Sequence, residues 1–135
     1  HVLTNFGLYR AIRSFIGKLR IPDQPEIHFR SNLEDRRFSF NLEVVLYRIV
    51  CELISNALKH SKSKNIHIGL VASEHYLDLK YIDDGIGFDP SVLEREHAGL
   101  GLSSIRSRIK SLGGSCHIDT EPGKGVRITT RVRID

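Results

Sequence analysis

Tyr47-Arg48-Ile49-Val50-Cys51-Glu52-Leu53-Ile54-Ser55-Asn56-Ala57-Leu58-Lys59-His60 is the stretch on which the fold of this chain turns. With the residues just before it, it places Leu42, Val45, Leu46, Ile49, Leu53 and Ala57 at the three-and-four spacing of an amphipathic helix. Asn41 can cap that helix, and Phe40 and Val45 stand where a hydrophobic staple would close its first turn. At about 100° per residue, Glu52, Asn56 and Lys59 fall within an arc of roughly 60° along one border of the apolar stripe. An acid, an amide and a cation then rise in a row from the edge of a core. That row suits a metal–phosphate complex: an amide oxygen is a hard ligand for Mg²⁺, a carboxylate can hold one of the waters the metal keeps, and a lysine neutralises phosphate. The same three residues would also serve as the solvated border of an ordinary amphipathic helix.

Upstream, Leu3, Phe6, Leu8, Ile12, Phe15, Ile16 and Leu19 predict a helix over Val2–Leu19, which Gly7 and Gly17 weaken. Pro22 and Pro25 end it, Glu26–Arg30 alternates as a short strand, and Ser31–Ser39 reads as a loop. Downstream come two strands, Asn65–Ala72 and Tyr76–Asp83, then a glycine-containing loop over Gly85–Gly99. A third helix carries Leu102, Ile105, Ile109 and Leu112 on one face and stops at Gly113-Gly114. The last strands are Ser115–Thr120 and Val126–Ile134. In the final one, Val126, Ile128, Thr130, Val132 and Ile134 alternate with Arg127, Thr129, Arg131 and Arg133. That arginine stripe reads as a solvated outer face blunting a sheet edge, with docking to an acidic partner as the functional alternative. The order α-β-α-β-β-α-β-β predicts helices layered on one face of a mixed sheet.

Two further features sit at element ends. In Tyr76–Asp83 the side chains of Leu77, Leu79 and Tyr81 share a face, and strand parity puts Asp83 on it and Asp84 on the other. An inward carboxylate at a strand end needs a donor, because burying it unpaired costs several kcal/mol. An exocyclic amine such as adenine N6 would be one, and the glycines of Asp83-Asp84-Gly85-Ile86-Gly87 would let a flat ring approach the backbone. A plain Asp-Gly turn is the other reading. Gly99-Leu100-Gly101-Leu102 opens the third helix, where free N–H groups and the helix dipole favour an anion; it could also be only a loop end.

Composition narrows the class. The 135 residues are 40% hydrophobic and 27% charged, which fits one globular domain. The net charge of +4 is interspersed, with no basic run or aromatic platform, so nucleic-acid binding is not expected. No apolar run reaches the ~18–20 residues of a membrane span, so no direct membrane contact is expected. Cys51 and Cys116 have no ligand-like or framework spacing, which makes a reducing cytoplasm the expected compartment. The chain has no Met, which points to a piece of something longer.

Taken in order, the E-x-x-x-N-x-x-K helix, the D-x-G-x-G strand end and the G-L-G-L helix start resemble the ATP-binding catalytic domain of sensor histidine kinases. That domain falls within the superfamily of gyrase, Hsp90-type chaperones, histidine kinases and MutL. The resemblance spans nearly the whole chain. Residues Tyr47–His60 look like the N box, Asp83–Gly87 like the first glycine box and Gly99–Leu102 like the second. Gly113-Gly114 and Glu121-Pro122-Gly123-Lys124-Gly125 match as well, and Tyr47-Arg48-Ile49 with Lys59-His60 is similar to the nitrate-sensor and fluidity-sensor subfamily.

The resemblance implies an α/β (α+β) two-layer sandwich of the Bergerat type: a mixed, mainly antiparallel sheet of about five strands covered on one face by about three helices. It implies ATP and Mg²⁺, with Glu52, Asn56 and Lys59 as the catalytic set. Asn56 would ligate the metal, Glu52 would hold it through water, and Lys59 would touch a phosphate. Asp83 would accept from adenine N6, with His60, Gly85, Gly87, Gly99, Leu100, Gly101 and Leu102 around the nucleotide. Phe88–Ala98 would form a short lid. Many members carry Thr after the last glycine, for a water-mediated adenine contact; this chain has Val126. No His is followed directly by an acid, as the family's phosphorylated His usually is, so the acceptor must lie elsewhere.

The implied domain organisation is a linker at residues 1–20 and a catalytic domain at 21–135, monomeric in isolation. The implied partners are a His-containing dimerisation domain of the same kinase and the receiver domain of a response regulator. The alternatives are an anti-sigma-factor Ser kinase of the same superfamily and a non-catalytic, ATP-gated interaction module.

Overall fold

The computed structural model describes residues 1–19, 25–91 and 102–135. Its elements are α1 (Val2–Phe6), α2 (Leu8–Gly17), β1 (Glu26–Ser31), α3 (Phe40–Asn56), β2 (Asn65–Ala72), β3 (Tyr76–Asp83), α4 (Leu102–Ser111), β4 (Ser115–Thr120) and β5 (Val126–Arg133). The five strands form one sheet in the order β1-β2-β3-β5-β4. Only β1 and β2 run parallel, joined through α3, and the other neighbours are antiparallel. The mixed sheet read from the element order, and the five-stranded sandwich that the resemblance implied, are both present.

The core lies between the sheet's inner face and the helices. Strand alternation buries Phe29, then Ile66, Ile68 and Leu70, then Leu77, Leu79 and Tyr81, then Ile128 and Val132. α3 covers them with Leu46, Ile49, Val50, Leu53 and Ile54, and α4 adds Ile105 and Ile109. Leu8 and Ile12 of α2 are fully buried in this same core. Pairing β5 between β3 and β4 settles the arginine stripe: β5 is an interior strand, so its arginines do not blunt an edge. Arg131 instead grips Asp78 of β3 through both carboxylate oxygens, at 2.8 and 2.9 Å.

Two helix expectations need correction. The single helix over Val2–Leu19 is two helices, because Gly7 adopts φ +90° and breaks the hydrogen-bond run. Arg37 lies across that break, and a Cβ on Gly7 would come within 2.8 Å of its Cδ. The cap of α3 is Ser39, not Asn41: its hydroxyl accepts from the Leu42 N–H, while Phe40 opens the helix and is 64% exposed, so it staples nothing. Glu43 decides the matter. Its carboxylate is 1% exposed, is bound by Arg37 at 3.0 and 3.1 Å, and accepts the Phe38 N–H. That reach-back fixes the helix start two residues earlier.

Candidate functional site

The site end of the sandwich is assembled from the last turn of α3 and the residues just after it, the end of β3 and the loop that follows, the start of β5, and the first residue of α4. Between them lies a cavity of about 220 Å³ lined by Leu53, Asn56, Ala57, His60, Tyr81 and Asp83, and closed by Ile86, Gly87, Phe88, Leu102 and Val126. Its wall is mainly apolar, with Asn56, His60 and Asp83 as the polar exceptions, the make-up of a small-molecule site.

Asp83 is 4% exposed, on the face that parity assigns it. It is not left unpaired: the Tyr81 hydroxyl donates to Oδ2 at 2.6 Å and the Gly85 N–H donates to Oδ1 at 2.9 Å. Each oxygen so engaged keeps a second lone pair. Burial, and then the bond to Asp83, push the Tyr81 hydroxyl well above the usual tyrosine range, so it stays a donor. Asp84 turns outward and ties the strand ends together. Its Oδ1 accepts the N–H groups of Lys64 and Asn65 at 2.7 and 3.0 Å, and these bonds hold its carboxyl below the usual range.

Gly87 and, in the facing turn, Gly125 are required by the protein's own packing. Gly87 adopts φ +60°, and a Cβ there would strike the Glu121 carbonyl and meet Gly125 O at 2.8 Å. Gly125, at φ +71°, clears the Asp83 carbonyl in the same way. Ile86 O accepts the Gly123 N–H at 2.6 Å. Thr120 donates to Gly125 O at 2.7 Å and accepts the Phe88 N–H at 3.2 Å. The β3 end and the β4–β5 turn thus interlock beneath the cavity.

α3 ends differently from its α-helical prediction. Ala57–Ser61 form one π-helical turn, a widening often found at functional sites, and Lys62 closes it at φ +53°. Asn56 and His60 line the cavity. Lys59 is exposed beyond its lining, and Glu52 lies one turn before Asn56, facing α4. Arg108 Nη1 of α4 donates to Glu52 Oε1 at 2.9 Å. Among the described residues, Glu52 Oε2 is the buried side-chain oxygen with no hydrogen-bond partner. An orphaned carboxylate oxygen one turn from an amide carbonyl fits the donor set for a hydrated Mg²⁺.

Of the anticipated residues, Asn56, His60, Asp83, Gly87 and Leu102 therefore meet at one cavity, with Gly85 bonded to Asp83 behind it. Gly99, Leu100, Gly101 and most of the Phe88–Ala98 lid lie outside the described residues. Residue reasoning did not single out Tyr81, Arg108 or Thr120. Tyr81 carried a signal, since it precedes Asp83 by two on the same strand face. Arg108 carried one too, three residues after Ile105 on the border of the apolar stripe.

Residues 41–135 match the family model described as Histidine kinase-, DNA gyrase B-, and HSP90-like ATPase. The chain is 33% identical over 137 residues to the Sensor histidine kinase ComP of Bacillus subtilis (strain 168), an alignment covering 98% of this chain and 17% of that one. It is 31% identical over 140 residues to the Signal transduction histidine-protein kinase/phosphatase DegS of the same organism, covering 96% of this chain and 35% of DegS. It thus spans about a sixth and about a third of the length of these relatives. Among solved structures, it resembles the histidine kinase domain from the Erythrobacter litoralis EL346 blue-light activated histidine kinase. The TM-score is 0.64 at 18% identity, over 93% of this chain and 57% of that one. A second structure of the EL346 kinase gives a TM-score of 0.67 at 18% identity, over 95% of this chain and 41% of that one. At that identity the likeness establishes the fold.

Proposed function

The chain belongs to the family of histidine kinase-, DNA gyrase B- and HSP90-like ATPases, and on that premise we propose that it is the nucleotide-binding catalytic module of a sensor histidine kinase. The observation that carries the reading is Asp83, a buried carboxylate on the wall of an otherwise mainly apolar cavity. A planar base carrying an exocyclic amine would enter between Leu53, Ile86 and Val126, and Asp83 would accept from adenine N6. Tyr81 and Gly85 hold that carboxylate in place before the ligand arrives, which lowers the ordering cost of binding.

The phosphates would lie toward Asn56 and Lys59; the Gly99, Leu100 and Gly101 expected around the nucleotide lie outside the described residues. Asn56 and Glu52 would hold Mg²⁺, Asn56 by its carbonyl and Glu52 through water. The metal supplies charge neutralisation to the triphosphate. The protein's own contribution is position and charge: Lys59 offsets phosphate charge, and the cavity orients the γ-phosphate outward. A His on a separate dimerisation domain of the parent kinase would receive it and pass it to a response-regulator Asp. In this reading residues 21–135 are the module and 1–20 the link from the dimerisation segment, with α2 seated in the core. On this reading the module works in the cytoplasm and is a monomer when isolated.

The test is phosphoryl transfer from radiolabelled ATP to an added His-bearing dimerisation domain. The expected product is acid-labile and alkali-stable, as phosphohistidine is. An acid-stable phosphoserine would favour an anti-sigma-factor type of kinase, and nucleotide binding without transfer would leave a gated interaction module.

A further inference from the structure

The arginine–carboxylate pairs of this protein are of two kinds. Arg131 holds Asp78 through both oxygens, and Arg37 does the same to Glu43. These are closed forks in which the carboxylate has its strongest partners already. Arg108 holds Glu52 differently. Nη1 takes Oε1 alone, at 2.9 Å, and leaves Oε2 buried and without a partner among the described residues. Buried polar atoms are almost always satisfied, so an exception at a site points to a partner that arrives with the ligand.

Arg108 is also the cation of α4 that turns toward α3; Arg106 and Lys110 on either side are exposed. α4 begins at Leu102, which lines the cavity, and Arg108 follows six residues on. One rigid helix thus borders the nucleotide cavity at its first turn and grips Glu52 at its second. The geometry points to Arg108 as a positioning residue: it fixes the Glu52 carboxylate so that Oε2 faces a water of the Mg²⁺ that enters with the nucleotide. This inference rests on the nucleotide-binding reading above. It adds a residue to the metal's outer shell and ties that shell to the helix that follows the glycine-rich segment.

The experiment is calorimetric titration of a non-hydrolysable ATP analogue, with and without Mg²⁺, against wild type, Arg108→Gln, Arg108→Lys and Arg106→Ala. Outer-shell partners of metal ligands are worth roughly 10–100-fold in metal affinity, so Arg108→Gln should cut the Mg²⁺-dependent gain in nucleotide affinity by about tenfold. Its Mg²⁺-free affinity and Tm should stay near wild type. Arg108→Lys should recover part of the gain, since it returns the charge without the planar fork. It also serves as the decisive variant if Arg108→Gln does not fold. Arg106→Ala, on the exposed side of the same helix, should behave as wild type. An Arg108 variant that keeps the full Mg²⁺ gain, or loses affinity equally in both conditions, overturns the inference while leaving the nucleotide reading intact. Wild type that binds the analogue with no Mg²⁺ gain does the same. Wild type that binds no analogue overturns both.

Discussion

The two ends of α3 carry the same chemical pairing to opposite ends. At its start, Glu43 is fully enclosed, both oxygens are taken by Arg37, and the Phe38 N–H adds a third bond. Arg37 also donates to the Leu3 and Thr4 carbonyls, so the pair clamps α1 to α3. Nine residues on, Glu52 is 38% exposed along its side chain, and its Oε2 has no hydrogen-bond partner among the described residues. The first acid has both oxygens bound within the fold, and the second has one oxygen bound by Arg108 and the other without a partner among the described residues. A saturated carboxylate marks structure, and an unsaturated one beside a cavity marks a site.

The largest blow to this contrast should come at the closed end. Glu43→Ala removes an enclosed, triply bonded carboxylate and should destabilise the protein by about 3 kcal/mol. That should lower Tm by roughly 10 °C for a domain of this size. A loss below about 1 kcal/mol would mean the clamp is ornamental. Next, Gly87→Ala tests whether the open end has a closed scaffold beneath it. The positive φ and the clash with the Glu121 carbonyl should together cost about 2 kcal/mol, measured by urea unfolding. A smaller effect is expected in acid. Asp84 has a depressed folded pKa against its ordinary value of 3.8, so the unfolded chain takes up the proton first as pH falls. Its stabilising contribution is present above that value and is lost as pH drops below it through the folded pKa. Asp84→Asn should therefore flatten the acid limb of a Tm-against-pH curve. Smallest of all, Glu52→Gln should change stability by less than about 0.5 kcal/mol, because the amide oxygen can still accept from Arg108 and a part-exposed ion pair adds little. A large loss would move Glu52 into the same class as Glu43.

Much of this arrangement was legible in the residues. β3 has one buried face, and a period of two then assigns every side chain, which is why the residue pattern alone tells Asp83 from Asp84. The apolar stripe of α3 likewise located Asn56. Other features depended on contacts that periodicity does not encode. Ser39 and Asn41 are both competent caps, and the choice is made by Glu43 reaching back to Phe38 while held by Arg37 from the preceding loop. Whether β5 is an edge depends on strand order, and alternation reads the same in an interior strand. Gly7 was legible as a weak point of the first helix, but its positive φ and the Arg37 side chain lying over it were not. Arg108 was hidden among three cations on α4, and only the facing of α3 separates it from Arg106 and Lys110.

Calorimetric titration of a non-hydrolysable ATP analogue in Mg²⁺ against wild type and Asp83→Asn tests the central claim most directly. The account predicts binding to wild type that weakens at least tenfold in the variant, about 1.4 kcal/mol or more. Asp84→Asn should bind nearly as wild type. Equal affinity for wild type and Asp83→Asn would contradict the assignment of this cavity to the nucleotide base.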